Sequence, residues 1–170
     1  MQRLLMNIFM VLFFQIELYA ANPSTSTIAI TIPALVQISG LNDISLSPTN
    51  FSSLVTGNTT ACIYTNNITP LGSYFITATS MNASAGAFRV ISGGKFITYS
   101  AYWNNTSSPT QTTVLSSGTK TAQQSGGSST SLSCGGSANA NFNISLSAAQ
   151  VTGAAPAIYT DTVTLVVSPS

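Results

Sequence analysis

The sequence predicts an all-β fold, a sandwich or barrel built from short antiparallel strands. Three observations predict it. No stretch sustains a helical period of apolar residues. Short β-branched and aromatic runs recur along the chain, each bounded by Gly, Pro, Asn or Ser. Several of those runs alternate apolar and polar residues with period two, the pattern of a strand with one buried face. The chain has 170 residues, enough for one such domain after a leader.

The elements follow in order. Residues 1–20 read as a secretory signal: Arg3 gives a positive start, an apolar run from Leu4 to Phe14 is broken only by Asn7, and Ala20 or Ala21 offers a small residue at the cut. The run is too short to span a bilayer, so the mature chain is expected to be exported and not membrane-spanning. Residues 21–33 form an N-terminal extension in which Ile28, Ile30 and Ile32 share one face of a strand, and Ala29 and Thr31 the other. Pro33 lacks an N–H for a ladder and marks the break. Residues 34–170 form a single β domain. Candidate strands cover 27–32, 35–39, 43–46, 60–65, 73–80, 87–91, 96–103, 112–115, 131–133, 139–146 and 159–167, with turns at Gly40, Pro48, Gly57, Gly72, Gly93-Gly94 and Gly153 among others. Tyr74, Ile76 and Ala78, then Phe142, Ile144 and Leu146, then Val163, Leu165 and Val167, each line one face, with the intervening residues expected to meet water. Residues 116–133 are rich in Ser, Gly, Thr and Gln and read as a loop or a weak strand pair.

Composition narrows function. Only 4% of residues are charged, against about a quarter in ordinary domains, and there is no His. Polarity comes instead from 26 Ser and 23 Thr together with amides. Beyond the leader the charges are Asp43, Arg89, Lys95, Lys120 and Asp161. Two separated carboxylates make no acid–base pair, and imidazole chemistry is absent. No catalytic residue, no metal site and no cofactor is expected. Three scattered cations give no nucleic-acid footprint. Strand edges in such a chain also lack the Lys guards that discourage edge-to-edge pairing, so pairing of edges is either a hazard or the function. Cys62 and Cys134 either pair in an oxidising compartment or remain buried thiols; two Cys without His are too few ligands for zinc. Tyr99, Tyr102 and Trp103 cluster near Asn104 and Asn105; Tyr102 and Trp103 are a candidate contact for a sugar, or else ordinary strand residues.

The chain after the leader resembles the spore coat protein U / archaic chaperone–usher pilin family. The resemblance rests on the alternating strand Ile28-Ala29-Ile30-Thr31-Ile32, on Val36-Gln37-Ile38-Ser39-Gly40-Leu41, on Cys62-Ile63-Tyr64, on Gly72 to Thr79, on Gly86-Ala87-Phe88, on Phe96 to Trp103, and most specifically on the closing motif Tyr159-Thr160-Asp161-Thr162-Val163-Thr164-Leu165-Val166-Val167. One departure is that Val36 and Ile38 stand where members often carry a Cys, so the resemblance carries no disulfide pairing. It implies an immunoglobulin-like antiparallel β-sandwich lacking its final strand, completed first by a strand from a periplasmic chaperone. At an outer-membrane usher that strand is exchanged for the N-terminal extension of a neighbouring pilin subunit. On this sequence, Ile28, Ile30 and Ile32 would be the donor-strand residues. Tyr159, Asp161, Val163, Leu165 and Val167 would form the strand beside the acceptor groove. The implied role is a structural subunit of a bacterial surface pilus, exported through the periplasm and serving adhesion and biofilm formation. A secreted carbohydrate-binding sandwich or tip adhesin module is the alternative.

Overall fold

The computed structural model describes residues 26–170; the expected leader, 1–20, lies outside the described residues. The described chain divides into a segment ending at Ile32 and a domain, Pro33–Ser170. Residues 26–32 form no strand and are exposed throughout, in contrast to the strand expected at 27–32. A strand exists only as one side of a ladder, so alternation alone does not make one.

Within the domain, eight strands and one short helix are present among the described residues: β1 (Val36–Ser39), β2 (Val55–Thr65), β3 (Tyr74–Ser80), β4 (Phe88–Ser92), β5 (Lys95–Asn104), β6 (Thr113–Val114), β7 (Ala140–Leu146), α1 (Ala148–Thr152) and β8 (Val163–Pro169). The larger sheet runs β1-β2-β7-β5-β4, with β6 also on β5; the smaller is β3-β8. Every ladder is antiparallel. The fold is all-β, as the sequence pattern predicts, and of the immunoglobulin-like sandwich class that the resemblance implies.

The inner faces meet in one core. Ala61 and Ile63 of β2, Tyr99, Ala101 and Trp103 of β5, and Ala140 and Phe142 of β7 pack against Tyr74, Ile76 and Ala78 of β3. Trp103, on the larger sheet, donates its Nε1–H to the Tyr74 hydroxyl on the smaller sheet at 3.0 Å. Tyr74 in turn donates to Asn105 Oδ1 at 3.0 Å. The two rings meet edge to face with centroids 6.5 Å apart, a favoured aromatic geometry. Each buried polar tip thus has a partner, which removes the desolvation cost of placing Trp and Tyr in a core.

Several sequence expectations change. Residues 43–46 form no strand. Ile44 and Leu46 instead lay their side chains over Gly57, where an added Cβ would stand 2.5 Å from Ile44 Cγ2 and 2.8 Å from Leu46 Cδ2. Gly57 is therefore not a turn but a flat place in β2, which begins at Val55, well before residue 60. Residues 131–133 are a turn leading into a 3₁₀ turn at Cys134–Gly136, and the last strand begins at Val163, after Tyr159 and Asp161. The helix α1 was not foreseen. Its signal is Ser147-x-x-Gln150: the Ser147 side chain accepts from Gln150 N–H, and the Gln150 side chain accepts from Ser147 N–H at 2.7 Å, a reciprocal cap. The second face of β7, expected to meet water, is buried at Asn141, Asn143 and Ser145. Residues 118–124 run along the far edge of β3, where Thr121 and Gln124 N–H donate to Ile76 and Tyr74 carbonyls; this is the weak-pair reading of the Ser/Gly-rich stretch.

Cys62 and Cys134 form a disulfide, with Cα atoms 5.8 Å apart and a sequence separation of 72. It ties the end of β2 to the 3₁₀ turn before β7. Asn139 reinforces that joint, accepting from Ile63 N–H at 2.8 Å and donating to Ile63 C=O at 2.9 Å. Closing a loop of that length stabilises by about 4 kcal/mol through chain entropy. Cys62→Ser should lower unfolding free energy by roughly that amount in oxidising buffer and make little difference in reductant, as urea titrations in both buffers would show.

Burial pushes the Tyr74 hydroxyl up to about 12, partly offset by the Trp103 hydrogen bond. A folded-state value above the unfolded value of about 10 means stability is fully present below that pH and is lost as pH rises from there toward the folded value. Tyrosine ionisation followed by near-ultraviolet absorbance should show Tyr74 titrating only together with unfolding.

Candidate functional site

The sandwich is covered unevenly. Inner residues of β2, β3, β5 and the first half of β7 are buried. Those at one side are not: Ile38 of β1 and Val163, Leu165 and Val167 of β8 pack against the core yet remain half-buried. β1 ends the larger sheet and ladders only with β2; β8 ladders only with β3. Among the described residues neither makes a ladder on its other side. Cα atoms of β1 and β8 approach to within 8 Å without hydrogen bonding. Paired strands lie about 4.8 Å apart and an intervening strand requires roughly twice that, so these two edges must part slightly to admit one. The site is thus a seam between two strand edges that carry no second ladder among the described residues, over a half-buried apolar row.

The position of β8 follows from its entry. Met81 N–H donates to Thr162 C=O, and the register pairs Val163 with Ser80, Leu165 with Ala78 and Val167 with Ile76. Asp161 anchors this entry. Tyr99 of β5 donates to Asp161 Oδ2 at 2.6 Å, and Thr162 and Asn82 N–H donate to Oδ1 at 2.9 and 3.3 Å. Burial first, and then the hydrogen bond and charge of Asp161, hold the Tyr99 phenol neutral far above its ordinary range. At the other end, Asn67 donates to the Ser170 carbonyl at 2.8 Å. The strand is held at both ends and by β3, while its outer edge stays unpaired.

The structure brings Val163, Leu165 and Val167 together on the core-facing side of β8. Asp161 stands at its mouth as an anchor. Tyr159 lies off the strand and donates its hydroxyl to Ala155 C=O. Ile28, Ile30 and Ile32 are 84%, 82% and 78% exposed in their own segment. Tyr102 and Trp103 do not act together: neighbours in a strand point to opposite faces, and Trp103 is fully buried in the core, unable to stack on a ligand. Two residues take places that the sequence reading does not assign them. Ile38, on the opposite wall of the groove, carries its signal in the Val36/Ile38 alternation. Tyr99, the partner of Asp161, has no sequence signal, because only the packing of β5 beside the β8 entry joins them.

No protein-family model matches the chain, and no curated protein sequence does. Among solved structures, the chain is similar to a chain of the structure described as "Chaperone-tip adhesin complex is vital for synergistic activation of CFA/I fimbriae biogenesis", with a TM-score of 0.55 and 16% identity over 79% of this chain and 41% of that one. The chain therefore spans less than half the length of that neighbour, and at this identity the likeness is one of fold. No helix among the described residues is long and apolar enough to cross a membrane.

Tyr99→Phe should lower stability by about 1–3 kcal/mol, the cost of leaving a partly buried carboxylate oxygen unpaired. Urea unfolding with an unchanged slope would register it. A loss within error would mean that the two backbone N–H donors alone hold Asp161.

Proposed function

We infer that this chain is a structural subunit of a bacterial surface pilus, assembled by donor-strand exchange. The observation that carries the reading is the pairing of a need with its complement. The domain has a groove whose apolar floor of Ile38, Val163, Leu165 and Val167 is half-covered and whose two edges are unpaired. The segment before it carries three exposed isoleucines at strand spacing. Covering one Ile fully is worth about 1.5–3 kcal/mol, so three supply several kcal/mol before ordering costs, and main-chain ladders fix the register. The fold of the fimbria-related neighbour supports the reading. On it, the partners are neighbouring pilin subunits, a periplasmic chaperone and an outer-membrane usher; the location is the cell surface, with adhesion and biofilm formation as the outcome. The chain's part is assembly without catalysis.

The test is size-exclusion chromatography with light scattering on the chain lacking its leader, beside a version beginning at Ala34. SDS-resistant multimers from the first alone support the reading; well-folded monomers from both overturn it and favour a self-contained module. Ile30→Asp should abolish polymer growth, because a carboxylate cannot enter an apolar groove without a partner, while leaving the chaperone complex intact. Unaffected fibres would remove the donor assignment.

A further inference from the structure

We infer that Asn66 is a positioning residue that makes strand donation pass between chains: it holds the root of the N-terminal segment so that a chain cannot fill its own seam. The inference rests on the strand-exchange reading above. Asn66 stands one residue beyond the end of β2 and binds residues 33–35 through three hydrogen bonds. Its Oδ1 accepts from Leu35 N–H at 2.7 Å, its Nδ2 donates to Pro33 C=O at 2.9 Å, and its backbone N–H donates to Leu35 C=O at 3.1 Å. Val36 pairs with Thr65, so Leu35 facing Asn66 is the next step of the same antiparallel ladder. The Asn66 side chain thus fixes residues 33–35 alongside β2 and withholds them from any turn.

Those three residues are where a turn must form if the chain is to complete itself. β1 ends the larger sheet, and a three-residue loop at 33–35 would lay the preceding segment against its free edge, pairing Ile32 with Val36 and Ile30 with Ile38. Opposed residues share a face, and Ile38 packs against the core, so Ile30 would come down on the apolar side. The chain therefore carries a self-complementing hairpin in the correct parity, and the Asn66 bonds oppose it. With residues 33–35 held, the turn has to come earlier. The tightest, at Thr31-Ile32, pairs Ile30 with Pro33 and Ile28 with Leu35, on the face opposite to that of Ile38, and no isoleucine then reaches Ile38. Leu35 opposes the hairpin a second time. The third residue of such a loop takes the left-handed conformation, which suits glycine and not a residue with a Cβ, and Leu35 keeps a negative φ here. The seam left for the three isoleucines is that of a second copy of this chain.

The test is to refold the chain without its leader from urea at one fixed concentration and to weigh the products by size-exclusion chromatography with light scattering. The parent is compared with Asn66→Ala, with Asn66→Ala/Leu35→Gly, and with that double variant carrying Ile30→Asp; near-ultraviolet circular dichroism confirms that each is folded. The ratio of monomer to multimer should rise by about tenfold in Asn66→Ala, which loses two hydrogen bonds, and further in the double variant. Asn66→Asp, which keeps an acceptor for Leu35 N–H, should fall between parent and Asn66→Ala. The monomers of the double variant should unfold at higher urea than the version beginning at Ala34, and Ile30→Asp should remove that gain. A merely structural loss of hydrogen bonds lowers stability and creates no gain that depends on Ile30. A multimeric parent with a double variant equally multimeric, or with monomers no more stable than the version beginning at Ala34, overturns this inference alone. A parent that stays monomeric overturns the strand-exchange reading and this inference with it.

Discussion

The two sheets are joined without ionic help, and the joint is the Trp103–Tyr74 contact. The chain has too few charges for ion-pair networks, so sheet-to-sheet registry falls to apolar packing and neutral hydrogen bonds. Trp103 and Tyr74 supply both: large buried rings meeting edge to face, and a chain of donors ending on Asn105. Fixing β5 against β3 in this way sets the depth of the core. The cations follow the same economy: Lys120 lies 4.3 Å from the centre of the Phe75 ring and Arg89 4.9 Å from that of Phe96, contacts that need no buried carboxylate.

The core beyond that joint is unevenly covered. The core is full where β2, β5 and β7 oppose β3, and it thins toward β1 and β8. β8 is nevertheless firmly placed, because Asp161 ties its entry to Tyr99 and β3 ladders its whole length. On the proposed function, a strand held this firmly suits an acceptor, since little ordering remains to be done when a partner strand arrives. The disulfide acts likewise on the other sheet: it holds β2 at Cys62, which pairs with Ser39 of β1, and so steadies the β1 side of the sandwich.

Much was legible in the sequence. Period-two alternation in β3 and β8, and the turn residues around them, placed both strands to within a few residues, because one buried face imposes that pattern directly. The closing Val163, Leu165 and Val167 were visible for the same reason, whereas Ile28, Ile30 and Ile32 alternate without forming a strand or a buried face. Even α1 was written in the Ser147/Gln150 spacing, although a single helical turn is too short to show periodicity. The failures share one cause. Gly57 reads as a turn because glycine is a turn residue in isolation; only the arrival of Ile44 and Leu46 makes it a strand residue.

The sequence by itself determined the all-β class, the strand faces and the near-absence of charge chemistry, because these depend on local alternation and side-chain inventory. Tertiary structure alone decided which edges stay unpaired, that Asp161 meets Tyr99, that Cys62 reaches Cys134, and that Asn141 and Asn143 are buried on a face that alternation assigns to water. Each of these joins residues far apart in the chain, and such contacts follow from sheet order and register, which no local pattern encodes.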